Sequence, residues 1–234
     1  MGYHKKISIV MSVYNEEATV EKSLKGLLNV DFGMEREVIV FDDGSTDATP
    51  EILKSLAETP GLRLESFSRN RGKGYAIRRG ISLAVGDLIT FHDADLELDP
   101  EELKMLIEPI LRDEADAVYG TRFLQNQSHL HLHYLLANKL LARLTNALYG
   151  TKLSDIYTCY KIVKAEHAKA ILPFLSADAF SIEAEMTALL AKSGITIHER
   201  PITFHPRGHK DGKKIHLRDG IEAIIALVKF RFVH

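Results

Sequence analysis

Several things are scarce or missing in this 234-residue chain, and each absence removes a class of explanation. There is one cysteine, Cys159, so an intramolecular disulfide is excluded and a reduced, cytoplasmic setting is favoured. A lone thiol of this kind reads first as a packing residue and only second as a nucleophile. Charge of one sign is not in excess: 30 basic against 32 acidic residues leave a net charge of -2, which argues against a generic nucleic-acid binder. Long apolar runs are missing. The longest near the C-terminus, Ala223 to Val228, is far short of the roughly 18 residues of a membrane span, and no transmembrane segment is expected. The opening Met1-Gly2-Tyr3-His4-Lys5-Lys6 leads straight into a strand pattern, so no secretory leader is expected. Neither an internal repeat nor a low-complexity segment occurs. The spacing of a P-loop is absent, and so is a Gly-x-Gly-x-x-Gly turn after the first strand.

What is present is an alternation of strand and helix patterns. Ile7–Met11, Val38–Phe41, Arg63–Phe67, Leu88–Phe91 and Ala117–Tyr119 read as strands, and Glu16–Leu28, Thr46–Ala57 and Gly74–Ala84 as helices. Asp99 with Pro100 opens a further helix. Repeated β-α units of this length imply an α/β fold with a mostly parallel sheet and helices on both faces. Beyond Gly120 come a polar connection at Gln125–His133, helices at Leu135–Tyr149 and Ser181–Lys192, a strand at Ile195–His198, and a last helix near Leu217–Phe232. The Gly-, Lys- and His-rich stretch between them, residues 205–214, reads as a mobile loop.

Two of the strand runs end in acidic turns, Asp42-Asp43-Gly44-Ser45 and His92-Asp93-Ala94-Asp95. Ligands of open α/β sheets bind at the carboxyl ends of strands, and carboxylates gathered there call for a cation or for donor groups of a ligand. Alternate residues of an extended segment face the same way, so Asp93 and Asp95 can address one ion. Mg2+ or Mn2+ suits such an incomplete cage, because these ions accept a few carboxylates plus phosphate oxygens. Ser12-Val13-Tyr14-Asn15-Glu16, at the end of the first strand, offers groups that stack on a base or hydrogen-bond a ribose, or it is an ordinary helix start. Asp42 and Asp43 read equally as a structural turn, with Ser45 or Thr46 capping the next helix, or as readers of a nucleobase. Arg69-Asn70-Arg71-Gly72-Lys73-Gly74 places basic residues at a helix N-terminus, a favourable position for an anion.

Val10 to Glu16, Asp42-Asp43-Gly44-Ser45, Asn70-x-Gly72-Lys73-Gly74 and Asp93-Ala94-Asp95, in that order, resemble the family 2 inverting glycosyltransferases of GT-A fold. Within that family the chain is most similar to the dolichyl-phosphate mannose synthase and dolichyl-phosphate glucosyltransferase group. Gly120-Thr121-Arg122 and the segment Pro201-Ile202-Thr203-Phe204 leading to Arg207 and Lys213 belong to the same resemblance. It implies a single glycosyltransferase domain over residues 1–234, with a nucleotide-sugar half at 1–122 and an acceptor-side half at 123–234. It implies that Ser12, Tyr14 and Glu16 line the nucleoside pocket, that Phe41 and Asp43 contact base or ribose, and that Lys73 lies at the nucleotide-sugar. Asp93, Ala94 and Asp95 hold Mg2+ or Mn2+ and the diphosphate, with Glu97 beside them as a third carboxylate. Arg122 meets an acceptor or donor phosphate, and Arg207 and Lys213 close over the diphosphate. The chain departs from the family at Ser12, where a proline is usual. It also departs at His129, His131 and His133, where an arginine often precedes the helix, and at Lys210 to Lys214, where a Gly-x-Ser-Lys pattern is frequent.

The implied reaction moves a hexose from a nucleotide-diphospho-sugar, of GDP-mannose or UDP-glucose type, to a polyprenyl phosphate. An anionic phosphate acceptor needs no general base. A saccharide or other hydroxyl acceptor needs a carboxylate, for which Glu183, Glu185 and Asp155 are the candidates. Nucleotidyl transfer is the competing enzyme class, but it calls for a Gly-rich basic loop after the first strand, where Ser12 to Glu16 stand. A non-catalytic nucleotide-sugar binder would have no use for Asp93, Asp95, Arg207 and Lys213. In the last quarter of the chain Arg207, Lys210, Lys213, Lys214, Arg218, Lys229 and Arg231 outnumber Asp211, Asp219 and Glu222. With the apolar face of the last helix, this suits peripheral contact with an anionic membrane surface on its cytoplasmic side. A homodimer through the Leu135–Tyr149 helix is the other use for these helices. His129, His131 and His133 alternate as zinc ligands could, or form a plain polar loop.

Overall fold

The computed structural model describes residues 6–123, 132–207 and 217–232, without the side chains of 132–134 and 217. Seven strands form one sheet: β1 (Lys6–Val13), β2 (Glu35–Asp42), β3 (Leu62–Ser66), β4 (Leu88–Asp93), β5 (Ala117–Thr121), β6 (Lys161–Lys164) and β7 (Ile197–Pro201). Their order is β3-β2-β1-β4-β6-β5-β7. All neighbours run parallel except β6, which is antiparallel to β4 and to β5. The helices are α1 (Val20–Asn29), α2 (Thr49–Leu56), α3 (Lys73–Leu83), α4 (Leu103–Leu111), α5 (Leu132–Tyr149), α6 (Ala165–Ile171), α7 (Ile182–Lys192) and α8 (Leu217–Phe232).

The centre of the sheet is covered on both faces. Ile7, Ser8, Ile9, Val10 and Met11 are successive residues of β1, and none is more than 1% exposed. Consecutive side chains of a strand point to opposite faces, so both sides of β1 must lie under helices. The helices form two groups, α1 with α2 and the turn before α4, and α3 with α5 to α8.

The expected α/β alternation is present, with two additions and some shifted boundaries. β6 and α6 were not anticipated, because a four-residue strand carrying a lysine at each end lacks both length and period. α2 starts at Thr49 with Pro50 in its first turn, so neither Ser45 nor Thr46 caps it; Asp47 accepts the Thr49 N–H instead, at 3.0 Å. Asp99 does cap, accepting the Glu101 N–H at 3.0 Å, but the turn it opens is 3₁₀ before α4 begins. No helix among the described residues is long and apolar enough to cross a membrane.

Register aligns the strand ends. Val13 lies opposite Asp42, and Ser12 opposite both Phe41 and Asp93. The residues that follow, Tyr14, Asp43 and Ala94, therefore leave three adjacent strands at nearly one level, on a common rim.

Candidate active site

A cavity of about 440 Å³ opens at that rim, a volume in the range of small-molecule sites. Its wall includes Ser12 near the end of β1 with Tyr14 and Glu16 from the turn that follows, Asp43 from the turn after β2, Lys73 from the start of α3, and Asp93 at the end of β4 with Ala94, Asp95 and Glu97 after it. Arg122 and Glu183 reach it from the other side, and Arg207 closes it.

The first two turns are stitched together. Asn15, in the left-handed region at φ 49°, accepts the Thr46 N–H through its side chain at 2.8 Å, while its own N–H donates to Ser45 Oγ at 3.0 Å. The Glu16 N–H donates to Thr49 Oγ1 at 2.9 Å. Asn15 is thus spent on architecture, whereas Tyr14 and Glu16 on either side face the cavity. The paired aspartates divide in the same way. Asp42 accepts the Ser45 N–H at 3.0 Å and shapes its own turn. Asp43 accepts the N–H groups of Arg71 and Gly72 at 2.7 and 2.8 Å, which pins the Gly-rich loop to the rim. Burial pushes the Asp43 carboxyl above its usual range despite those two donors.

Two expectations are corrected at this end. Phe41, anticipated against base or ribose, is 0% exposed and stacks on Phe67 with ring centroids 5.5 Å apart, so it supports the pocket from behind. The start of α3, anticipated as an anion cradle, has its leading N–H groups in use: Gly74 and Tyr75 donate to the Asp178 carbonyl at 2.8 and 3.2 Å. Gly72, at φ 92°, permits that close approach. The cation offered to an anion here is the Lys73 ammonium.

Lys73 Nζ lies 3.0 Å from each Asp93 carboxylate oxygen and 3.2 Å from Glu183 Oε1. Burial alone would lower its pKa, but Asp93, Cys159 and Glu183 hold it well above the usual lysine range. Burial likewise opposes ionisation of Asp93, and the Lys73 charge overcomes it, leaving that carboxyl below its usual range. Asp95 has no such partner of equal strength. Burial, then Asp93 and Glu97, raise its pKa to about 7 against the pull of the Glu97 N–H and Arg207. Leu96, between Asp95 and Glu97, takes φ 59°, a strained value for leucine that folds this turn over the rim.

Among the described residues no three His, Cys, Asp or Glu side chains converge on one metal point, so the expected trio is not assembled. Glu97 is the member that turns away, accepting the Arg207 N–H through Oε1 at 3.0 Å. Asp93 and Asp95 nevertheless fit Mg2+ or Mn2+ in donor chemistry: two hard carboxylates with excess negative charge, marked by the raised Asp95, need a cation that completes its shell with phosphate and water. Arg207 ties the rim together. Its Nε donates to the Asp95 carbonyl at 2.8 Å and its Nη2 to Glu16 Oε2 at 2.7 Å, and the His205 N–H donates to the Glu97 carbonyl at 2.9 Å. The first residues of the predicted mobile loop are therefore fastened to the acidic turn. Residues 208–214 with Lys213, together with His129, His131 and the His133 side chain, lie outside the described residues.

The opposite wall comes from distant parts of the chain. Arg122 makes a two-pronged pair with Asp155, Nε to Oδ2 at 2.7 Å and Nη2 to Oδ1 at 3.0 Å, and its guanidinium lies 5.2 Å from the Phe204 ring centre. Glu199 fixes the turn beneath by accepting the Ser154 and Asp155 N–H groups at 2.9 Å. Glu183 is 2% exposed and lies between Lys73 and the fully buried Lys161. Glu185 accepts the Ser176 and Ala177 N–H groups at 2.7 and 2.9 Å. All three carboxylates named as candidate bases are thus engaged in the fold. Tyr157, Cys159, Phe180, Phe204 and Asp219 also line the cavity and were not anticipated there. Cys159 is buried, as expected of a lone thiol, but beside Asp93; burial and then that carboxylate raise its pKa well above the usual thiol range.

The family model described as Glycosyl transferase family 2 matches residues 8–172. The chain is 30% identical over 206 residues to the low-salt glycan biosynthesis hexosyltransferase Agl6 of Haloferax volcanii, covering 86% of this chain and 48% of that protein. It is 32% identical over 170 residues to the undecaprenyl-phosphate 4-deoxy-4-formamido-L-arabinose transferase of Edwardsiella ictaluri, covering 71% of this chain and 51% of that protein. A dodecaprenyl-phosphate galacturonate synthase of Rhizobium johnstonii is 31% identical over 211 residues, covering 87% and 60%. The chain thus spans about half the length of the first two. Among solved structures it is similar to glucosyl-3-phosphoglycerate synthase from Mycobacterium tuberculosis, in complex with Mn2+, UDP and phosphoglyceric acid. There the TM-score is 0.73 and the identity 21%, over 98% of this chain and 80% of the other. That likeness bears on the fold, which is of the GT-A type.

Proposed function

The chain belongs to glycosyl transferase family 2, and from that premise we propose that it transfers a hexose, with inversion, from a nucleotide-diphospho-sugar to a polyprenyl phosphate of dolichyl type. The observation that carries this reading is one cavity in which Asp93 and Asp95 sit beside Lys73, Arg122 and Arg207, while Asp155, Glu183 and Glu185 are committed to other partners. Such a wall receives anions at both ends of the reaction. The names of the polyprenyl-phosphate sugar transferases among its relatives support the same acceptor.

In this reading Ser12, Tyr14, Glu16 and Asp43 hold the nucleoside, with Lys73 at the diphosphate. Asp93 and Asp95 would hold Mg2+ or Mn2+, which supplies positive charge against the departing diphosphate. The neighbour crystallised with Mn2+ and UDP supports that cofactor. Arg122, oriented by Asp155, grips the acceptor phosphate. A phosphate oxygen attacks the anomeric carbon from the face opposite the diphosphate, the carbon–oxygen bond to the diphosphate breaks, and its electrons leave with the nucleotide. An anionic phosphate has no proton to surrender, so no base acts. Arg207 adds cationic stabilisation at the rim, a role the sequence resemblance also implies for Lys213.

The acceptor calls for a membrane, here its cytoplasmic face. Ile221, Ile225, Val228 and Phe232 of α8 and Leu136 and Leu140 of α5 are exposed, and α5 carries Lys139 and Arg143 with no acidic residue. That composition suits peripheral binding to anionic lipid; a second copy of the chain is the competing occupant. In a second reading the acceptor is a hydroxyl, and a carboxylate of the cavity wall would have to take its proton. The test is transfer of labelled sugar from UDP-glucose, UDP-N-acetylglucosamine and GDP-mannose to a short polyprenyl phosphate, with Mn2+ or Mg2+ present. A lipid-phosphate sugar is expected from one donor; donor binding without that product rejects the reading.

A further inference from the structure

Lys161 is the anomaly of the core. It is a lysine with 0% exposure, in a four-residue strand that no motif announced. Its ammonium donates to the carbonyls of Ile156 at 3.0 Å and Thr158 at 2.7 Å, forms an ion pair with Glu183 Oε2, and stands 5.1 Å from the Tyr119 ring centre. Removing two charges from water costs several kcal/mol per ion and is seldom worth it for stability alone. The pair has a destination. The other oxygen of Glu183 is 3.2 Å from Lys73, and Lys73 is 3.0 Å from Asp93 at the cavity.

We infer that Lys161 and Glu183 are positioning residues that hold Lys73 for the leaving diphosphate, an inference that rests on the donor site proposed above. The four groups carry two positive and two negative charges and balance one another. Lys73 is shared between Glu183 and Asp93. A donor whose diphosphate draws on Asp93 leaves Lys73 anchored by Glu183 on one side and open to phosphate oxygen on the other. Lys161 sets how firmly Glu183 grips. With Lys161 in place, the Glu183 charge is divided between two ammonium groups. Without it, that charge falls on Lys73 alone and draws it off the phosphate. Glu183, a candidate base on sequence grounds, thus acts through a lysine and never on a proton of the acceptor.

The test is a double-mutant cycle on Lys161→Met and Lys73→Met, reading both turnover and nucleotide affinity. Each single change is expected to lower kcat, by about 100-fold for Lys73→Met and about 10-fold for Lys161→Met, and the double variant is expected to match Lys73→Met, because residues that act as a unit are not additive. Affinity for UDP or GDP, whichever binds, falls in both single variants, whereas affinity for the corresponding monophosphate does not change. Additive losses, or equal losses for mono- and diphosphate, overturn the inference. Should Lys161→Met not fold, Glu183→Gln replaces it in the cycle: it keeps the volume but removes the anchor that holds Lys73, so turnover and diphosphate affinity are again expected to fall and the double variant to match Lys73→Met. If the wild-type chain transfers no sugar, the transfer reading fails, and the diphosphate-specific loss still decides the inference.

Discussion

The two walls of the cavity are built by different rules. The side proposed for the donor consists of short runs at the carboxyl ends of β2, β1 and β4, brought level by register, with Lys73 from the start of α3. The opposite side, proposed to receive the acceptor, consists of single residues from just after β5, the 154–160 segment, α7, the 202–207 segment and α8, and it rests on ion pairs between positions far apart, Arg122 with Asp155 and Lys161 with Glu183. The first wall is set by strand ends and by hydrogen bonds that stitch the turns after them to one another. The second exists only when the tertiary structure brings buried charges together. It should therefore be the more fragile to loss of a single partner and the more free to change specificity.

Asp95→Asn attacks the donor wall where its charge is least balanced. Turnover should fall by roughly 10³-fold or more with the melting temperature kept, since the asparagine amide oxygen can still accept the Glu97 N–H that Asp95 accepts at 3.1 Å; a variant of normal activity would remove Asp95 from the proposed site. On the acceptor wall, Arg122→Lys keeps the charge but loses the two-pronged geometry. The KM for polyprenyl phosphate should rise about tenfold with the donor KM unchanged. A change confined to the donor KM would move Arg122 to the other wall.

Two smaller effects probe buried side chains behind the rim. His92 is buried, with Nε2 3.0 Å from Ser23 Oγ and Nδ1 3.0 Å from Tyr160 Oη. Burial lowers its pKa from 6.5 to about 4. The unfolded chain therefore takes up this proton first, so the contribution is complete above pH 6.5, declines as pH falls toward 4, and amounts to roughly 3 kcal/mol in all. Urea melts of the wild type and His92→Gln should show a shallower acid slope in the variant, and parallel slopes would dismiss the histidine. Phe41→Leu should cost about 1 kcal/mol of stability and leave nucleotide affinity unaltered, because Phe41 meets Phe67 and not the cavity; weakened binding would restore it to the nucleoside.

The same contrast explains what could be read from the sequence. The α/β alternation, the rim and Asp93-Ala94-Asp95 were legible because turn residues follow buried strands at fixed offsets. What those residues touch was not. Nothing local distinguishes Asp42, which shapes its turn, from Asp43, which anchors a loop 28 residues away. Phe41 alternates like a rim residue but falls on the covered side. β6 went unseen because it is short and antiparallel in a parallel sheet, and with it went Lys161. Tyr157, Phe180 and Asp219 carry no motif, and they meet the cavity only through the packing of α7 and α8.

The most direct test sets two acceptors against each other with one donor, a short polyprenyl phosphate and the alcohol of the same chain length. Product is expected from the phosphate alone, at a rate that does not require a carboxylate base. Transfer to the alcohol at a comparable rate would overturn the phosphate-acceptor reading and call for a carboxylate base.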